Sequence, residues 1–478
     1  MRLKKRTLIP TFAAATALAF SSPHLYVLAD EGTQKSSHFE AVSGHLDLGG
    51  EVYLYVDVDG DVDKIAGMVN DLLKFVDKAS GGDMPAEIAA LDITDLVDQL
   101  GLSGISALGA SSIQKGDIFH NSYYLHVPDG RKGLLDVFGG EAAPFAVQKL
   151  APAGSDIVME QDIDISALYA LALDLAKEIG GPRAKVEFQR EMSNQIPGTP
   201  LTMDGILSSL DTKMIVIGDL DADNPLKLPK QVPIKVPGVN LLVALDNVGG
   251  IFSKLTMMIP AEHRDRMMVE TDDYQQLMIP VPPEIAGMVQ PVIRHDKKSG
   301  RVLAATSAEY LDKCLSGATT VWEDADFKKA MEGLPEEGNA LSYMSTFFIK
   351  EYIRIYGEAM DLASQEGGMP VGMSEMLIGL VTELGMNPDH PQGMVMANLP
   401  EGILAVGNSP GSAKQGVVAM AAAGVGFFAA MMMPVYAMSE RRAYEAELMM
   451  EEKIRELERE ERRLNGDDTA PAESVRER

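Results

Sequence analysis

Residues 340–362 read ALSYMSTFFIKEYIRIYGEAMDL, and their rhythm decides the fold. Positions 340–344 alternate in the manner of a half-buried strand, whose side chains point to opposite faces with period two. After a polar break at Ser345 and Thr346, the apolar residues from Phe348 onward fall three and four apart, the spacing of one helix face. The same strand–break–helix rhythm occurs three times upstream. It runs through residues 52–56, 57–63 and 65–76, then through 156–159 and 165–179, then through 239–245 and 248–258.

Working outward, the second and fourth stretches superpose at an offset of 184, with Leu150 falling on Leu334. Gly154, Ile157, Ile165 and Leu168 then meet Gly338, Leu341, Ile349 and Tyr352. The superposition predicts two related halves, about 40–225 and 232–410, within an N-terminal unit of 30–230 and a C-terminal unit of 231–412. Their joint, NPLKLPKQVPIKVPG at 224–238, has four prolines and no acidic residue, as a linker or an edge strand would. Strands 292–295 and 302–306 flank a turn at 297–300, and strands 394–399 and 403–406 flank Pro400-Glu401-Gly402, two hairpin signatures. Thr306 with Glu309 reads as a capping box opening a helix around 310–315. Hairpins in place of crossovers predict an α+β fold of mainly antiparallel sheets with helices on one face.

The ends of the chain predict a compartment. Arg2, Lys4, Lys5 and Arg6 precede an apolar run at 8–20, and Val27 and Ala29 supply the small residues of a cleavage site. Residues 1–29 therefore read as a signal peptide. Residues 416–438, GVVAMAAAGVGFFAAMMMPVYAM, carry no charge and are long enough for the ~30 Å hydrocarbon layer. Arg441 and Arg442 follow them, which puts the C-terminus on the cytoplasmic side. Residues 439–464 are rich in Glu and free of Gly and Pro, which predicts a charged cytoplasmic helix. Its 4/3 spacing at Ala443, Met450, Ile454, Leu457 and Leu464 is broken by Glu447 and Glu461, a flawed seam for self-association as a short coiled coil. Residues 465–478 read as a disordered tail. The sum is a single-pass protein of the cytoplasmic membrane with its ectodomain in the periplasm or outside the cell.

Charge excludes some partners. The chain has 478 residues with 42 basic and 70 acidic side chains, a net charge of −28, and residues 30–438 hold essentially all of that imbalance. Such a surface is wrong for a nucleic-acid backbone and is repelled by anionic lipid. Cys314 is the sole cysteine, so no intramolecular disulfide exists.

The run VLAATSAEYLDKCLSG followed by WEDADFKKAMEGLPEEGNALSYMS, within residues 302–345, resembles exported bacterial proteins built on a duplicated domain of unassigned function. Ser307, Leu311, Asp324, Phe327, Leu334 and Pro335 hold the matching positions, and the resemblance implies a duplicated extracytoplasmic domain. Residues 427–446, FFAAMMMPVYAMSERRAYEA, are similar to the stem of type IV pilin-like proteins. The stem stands at the wrong end for a pilin and lacks the leader motif and the early acidic residue, so the likeness is one of membrane-helix composition.

Motifs of chemistry are sparse. Gly407-Asn408-Ser409-Pro410-Gly411 matches G-x-S-x-G, but Pro410 has no N–H for an oxyanion hole, so a turn is the reading. Ser112 and Lys115 form an unsupported S-x-x-K. Asp57, Asp59, Asp61 and Asp63 begin like a calcium loop, yet Val62 and Met68 stand where Gly and Glu belong. Asp219, Asp221 and Asp223 repeat the spacing and read as capping turns. The histidines, among them His38, His45, His120, His126, His263, His295 and His390, show no zinc spacing. His120 and His126 share one strand face but stand too far apart to chelate one ion. Met369, Met373 and Met376 could suit Cu(I), but with 29 methionines in the chain packing is the simpler reading. No catalytic, cofactor-binding or metal-ligating residue is therefore assigned. The sequence predicts a non-catalytic, membrane-anchored binding or scaffold ectodomain, with a carrier of an apolar, lipid-like ligand as the alternative and a motif-free hydrolase third.

Overall fold

The computed structural model describes residues 36–414, apart from 80, 82–83, 85, 90, 209, 227–232, 283–288, 366–378 and 380–387. The expected signal peptide (1–29), membrane segment (416–438), charged helix (439–464) and tail (465–478) lie outside the described residues, as do Met369, Met373 and Met376. Among the described residues, no helix is long and apolar enough to cross a membrane.

Alternating apolar runs form the strands β1 (Val52–Asp57), β2 (Ala107–Lys115), β3 (Ile118–His126), β4 (Ala143–Pro144), β5 (Ile157–Asp164), β6 (Asp211–Asp221), β7 (Gly238–Leu245) and β8 (Met268–Glu270). The rest are β9 (Tyr274–Met278), β10 (Val292–Asp296), β11 (Val302–Ala305), β12 (Glu337–Gly338), β13 (Ala340–Met344), β14 (Gln392–Leu399) and β15 (Gly402–Ser409). The fold is α+β. Thirteen of these strands form one sheet in the order β1-β2-β3-β15-β14-β13-β5-β6-β7-β11-β10-β9-β8, and β4 pairs with β12 apart from it. Every pairing is antiparallel.

The expectation of several sheets is thus corrected to one large sheet. The proline-rich 224–238 joint connects β6 to β7, which pair directly from Met214 opposite Leu245 to Asp221 opposite Gly238. It therefore links two neighbouring strands of the sheet, and residues 227–232 within it lie outside the described residues. The 184-residue offset also fails by one. Ile157 lies opposite Met344, so its side chain points away from the face that holds Leu341. A superposition of β5 on β13 that keeps faces together needs an odd offset.

One face of the sheet carries the main core. Val158, Ile215, Ile217, Leu242, Ala244, Leu303, Leu341, Tyr343, Val395 and Val406 share it by register and pack under residues 145–151 and 310–334. The helices Ala308–Ser316 and Ala325–Met331 supply Tyr310, Leu311, Cys314, Phe327 and Ala330 to that layer. The first is capped by Ser307, whose Oγ accepts from Tyr310 N at 3.1 Å. The expected cap, Thr306, instead accepts from Leu241 N in β7, which shifts the cap by one residue. Gly317, at φ 60, ends the helix in the left-handed conformation that glycine adopts without strain.

A second, smaller layer covers the same face over β1–β3. The helix Phe39–Ser43 and the residues after it lay Val42 and Leu46 against Ala107 and Tyr124. Gly109 makes this seat possible, because a Cβ there would stand 2.4 Å from Val42 Cγ1. Between the two layers the face is open to a cleft.

The other helices leave from strand ends. Asp61–Ala79 follows β1, Ile165–Met192 follows β5 and kinks at Gly181 before Pro182, and Thr346–Gln365 follows β13. Leu96 of the helix Ile93–Gln99 and Leu100, which follows it, join Leu171 of the Ile165–Met192 helix in a third cluster.

Candidate functional site

The seam between the two cover layers is a cleft of about 400 Å³, lined by Gly44 to Asp47, His120 and Ser122 of β3, Gly333 to Pro335, and Leu404 and Val406 of β15. Each wall has a local cause. Pairing of β3 with β15 sets His120 opposite Asn408 and Ser122 opposite Val406, so alternation turns His120, Ser122, Leu404, Val406 and Asn408 to the covered face. The chain leaves the Phe39–Ser43 helix at Gly44, and Asp47 is pinned where its backbone N–H donates to Ser111 Oγ at 2.9 Å.

Asn408 organises the floor. Its Nδ2 donates to the carbonyls of Ala330 and Glu332 at 2.9 and 2.8 Å, so its Oδ1 must be the atom that faces His120. His120 Nδ1 lies 2.8 Å from that oxygen and therefore carries the ring hydrogen. In the neutral ring with Nδ1–H donated, the lone pair is on Nε2, which stands 3.8 Å from Asp47 Oδ2, too far for a hydrogen bond. Ser122 Oγ donates to the same oxygen at 3.3 Å. The His120 side chain is 9% exposed and that of Asp47 is 41% exposed, so a buried acceptor and an accessible carboxylate meet at the mouth. Deeper in this layer, His45 stacks on Tyr124 with ring centroids 4.1 Å apart. Burial, and secondarily the nearby His126, lower the pKa of His45, so its neutral form is favoured.

This constellation is not a nucleophile triad. Ser122 donates to the Asp47 carboxylate at 3.3 Å and not to His120, so the serine–histidine contact of a triad is absent. What it offers is hydrogen-bond acceptors, an oxygen and a nitrogen, at one spot beside the apolar Leu334, Pro335, Leu404 and Val406.

Two other polar clusters are closed by comparison. Glu160, 1% exposed, accepts from Ala146 N, Val147 N and Lys213 Nζ at 3.1, 2.6 and 2.7 Å, and Lys213 also meets Asp162 at 2.7 Å. With all its partners inside the fold, this group ties the 146–149 turn to the sheet. Asp156 accepts from Ser345 Oγ and from Leu220 N. Burial pushes its carboxyl above the usual range, against the pull of those hydrogen bonds. Beside it, burial pushes the Cys314 thiol up to about 12, which keeps it a protonated, packed side chain and not a thiolate nucleophile.

The residues weighed from sequence are dispersed. Ser112 donates to Asn121 at 2.7 Å, and Lys115, three positions on in the same strand, turns to the other face. Gly407, Asn408 and Ser409 end strand β15 and not a turn, and Ser409 donates to Gly411 O at 2.9 Å as the chain leaves the sheet. Asp57 accepts from Asp59 N, Asp59 from Ser106 Oγ, Asp61 from Lys64 and Asp63 from Ser103, so each carboxylate serves a different neighbour. Asp219 pairs with Lys313 at 2.8 Å, while Asp221 accepts from Asp223 N and Asn224 N in a turn after β6, and the next described element is strand β7, not a helix to cap. His120 and His126 do share a face. Among the described residues, no group of three or more His, Cys, Asp or Glu side chains converges as a metal site. Sequence reasoning missed Asp47, Ser122 and Asn408. Asn408 alone left a signal, as a polar residue at an inward position of a strand whose other inward positions are apolar. Comparison with protein-family models, with curated proteins and with solved structures gives no match.

Proposed function

We propose that this chain is a non-catalytic binding or scaffold protein, held at the cytoplasmic membrane by residues 416–438, with its sheet domain on the outer side and the seam cleft as its binding site. The observation that carries the reading is the cleft itself: it gathers the polar groups of His120, Ser122 and Asp47 beside an apolar lining, with no hydrogen bond from Ser122 to His120. Such a set is suited to holding a ligand. An apolar carrier is served less well, because His120, Ser122 and Asp47 stand in the cleft wall.

The same proposal includes an origin by duplication, in line with the likeness of residues 302–345 to exported bacterial proteins. Supporting it, the sheet reads alike outward from its β5–β13 centre. Each central strand leads into a long helix, returns as its own neighbour (β6 or β14) and continues into a third strand (β7 or β15).

Fusions of a reporter active only outside the cytoplasm test the placement. A fusion after Pro410 is expected to be active and one after Asn465 silent. The reverse pattern, or equal activity from both, would sink the placement.

A further inference from the structure

Resting on the reading of the seam as a binding site, we infer that the cleft takes a primary ammonium group on a short alkyl stem. The argument is one of unmatched acceptors. Asn408 is committed to two carbonyls, which puts a hydrogen of His120 on Nδ1 and, in the neutral ring, leaves Nε2 as an acceptor. Its neighbour across 3.8 Å, Asp47 Oδ2, is a carboxylate oxygen and also an acceptor. Two acceptors facing one another repel unless a donor sits between or beside them. Ser122 cannot be that donor for both, since its single hydrogen is directed to Asp47 at 3.3 Å.

The missing partner must therefore bring at least two hydrogens, and a positive charge suits the Asp47 carboxylate. A metal ion meets the charge requirement but needs more ligands than a His and an Asp, and no third converges among the described residues. A guanidinium is planar and wide and favours a two-oxygen fork. An ammonium is compact, with three donors directed apart. It can reach Asp47 Oδ2 and His120 Nε2 together and keep a third donor for the Ser122 oxygen or water. The rest of the lining fits such a ligand, because Leu46, Leu334, Pro335, Leu404 and Val406 offer a methylene stem apolar contact. A chain carrying −28 also concentrates cations at its surface.

Two sources share this chemistry, a free alkylamine and a lysine side chain of a partner protein. The test uses the full chain in mild detergent, labelled with 15N at histidine, at a pH well above the ordinary imidazole range, so that histidine charge does not confuse the readout. The His120 ring signals are identified by their loss in His120→Gln. n-Butylammonium and Nα-acetyl-lysine methylamide are titrated separately, with n-butyltrimethylammonium, which has the charge but no N–H, as control. The expected result is a saturable shift of the His120 Nε2 signal with a primary amine, absent with the quaternary ion and weakened about tenfold or more in the near-isosteric Asp47→Asn. A response to the lysine derivative at least as strong as to butylammonium assigns the site to a partner's lysine, and a response to butylammonium alone assigns it to a free amine. No shift with either amine, or an equal shift with the quaternary ion, overturns the inference. Neither outcome bears on the reporter fusions, so failure here and failure of the membrane placement are separable.

Discussion

One face of one sheet is built in two ways. Under residues 145–151 and 310–334 it presents Val158, Ile215, Ile217, Leu242, Leu341 and Tyr343, a core of aliphatic and aromatic side chains. Under the Phe39–Ser43 helix the same face presents Ser111, His120, Ser122, Tyr124 and His126. The first region gains its stability from removing apolar surface from water, about 25 cal/mol per Å². The second buries polar groups, which is tolerated only where each finds a partner. Ser111, Tyr124 and His126 find theirs inside the fold, in Asp47 N and the Glu401 carbonyl. His120 finds Asn408 through Nδ1, while its Nε2 and the Ser122 hydroxyl stand at the cleft beside Asp47. The difference separates the part that holds the fold together from the part equipped to hold something else.

The comparison breaks most readily at Phe327. It is 2% exposed and packs edge-on to Tyr343 at 4.9 Å and against Trp322 at 4.5 Å. Phe327→Ala should cost about 3–5 kcal/mol of folding stability. Trp322 is the only tryptophan, so its fluorescence during denaturant unfolding reports the change directly. A loss below about 1 kcal/mol would mean that the aliphatic region does not carry the fold.

A smaller effect is expected at the seam. Asn408→Ala leaves the Ala330 and Glu332 carbonyls and His120 Nδ1 without their partner, a loss of about 1–3 kcal/mol by the same unfolding measurement. It should also release the His120 ring from a single tautomer, which Phe327→Ala should not do. If both variants leave the ring unchanged, Asn408 does not set it.

The smallest effect is one of pH and lies at the closed cluster. Burial raises the Asp156 carboxyl in the folded state. A raised carboxyl binds its proton in the folded chain before the unfolded one does. Its contribution is therefore complete below the unfolded value near ~3.9 and is lost as pH rises through the folded value. Relative to Asp156→Asn, the wild-type chain should gain stability as pH is lowered from neutrality toward the ordinary carboxylate range. Denaturant midpoints of both chains across that range measure the sign, and a relative loss on acidification contradicts it.

The strands were legible because their alternation is local. The expected 340–344 strand coincides with β13, and the 239–245 and 292–295 strands fall within one residue of β7 and β10. The expected helix 165–179 is the first part of a longer one, which kinks at Gly181 and continues to Met192. Merging of the strands into one sheet was not legible, because pairing between β13 and β5 joins residues nearly two hundred positions apart and neither strand encodes its partner. The cleft was hidden for the same reason. Asp47, His120 and Asn408 come from three distant segments, and only the register of β3 on β15 brings the last two together.

The most direct test of the account is the hydrogen-bonding state of His120 in the unliganded full chain, read from its ring 15N shifts at a pH well above the ordinary imidazole range. Asn408 at 2.8 Å requires Nδ1 to carry a hydrogen, and in the neutral ring Nε2 is then bare. A ring with hydrogen on Nε2, whether alone or together with Nδ1, would make His120 a donor to Asp47, close the cleft's unmatched pair and contradict the binding site described above.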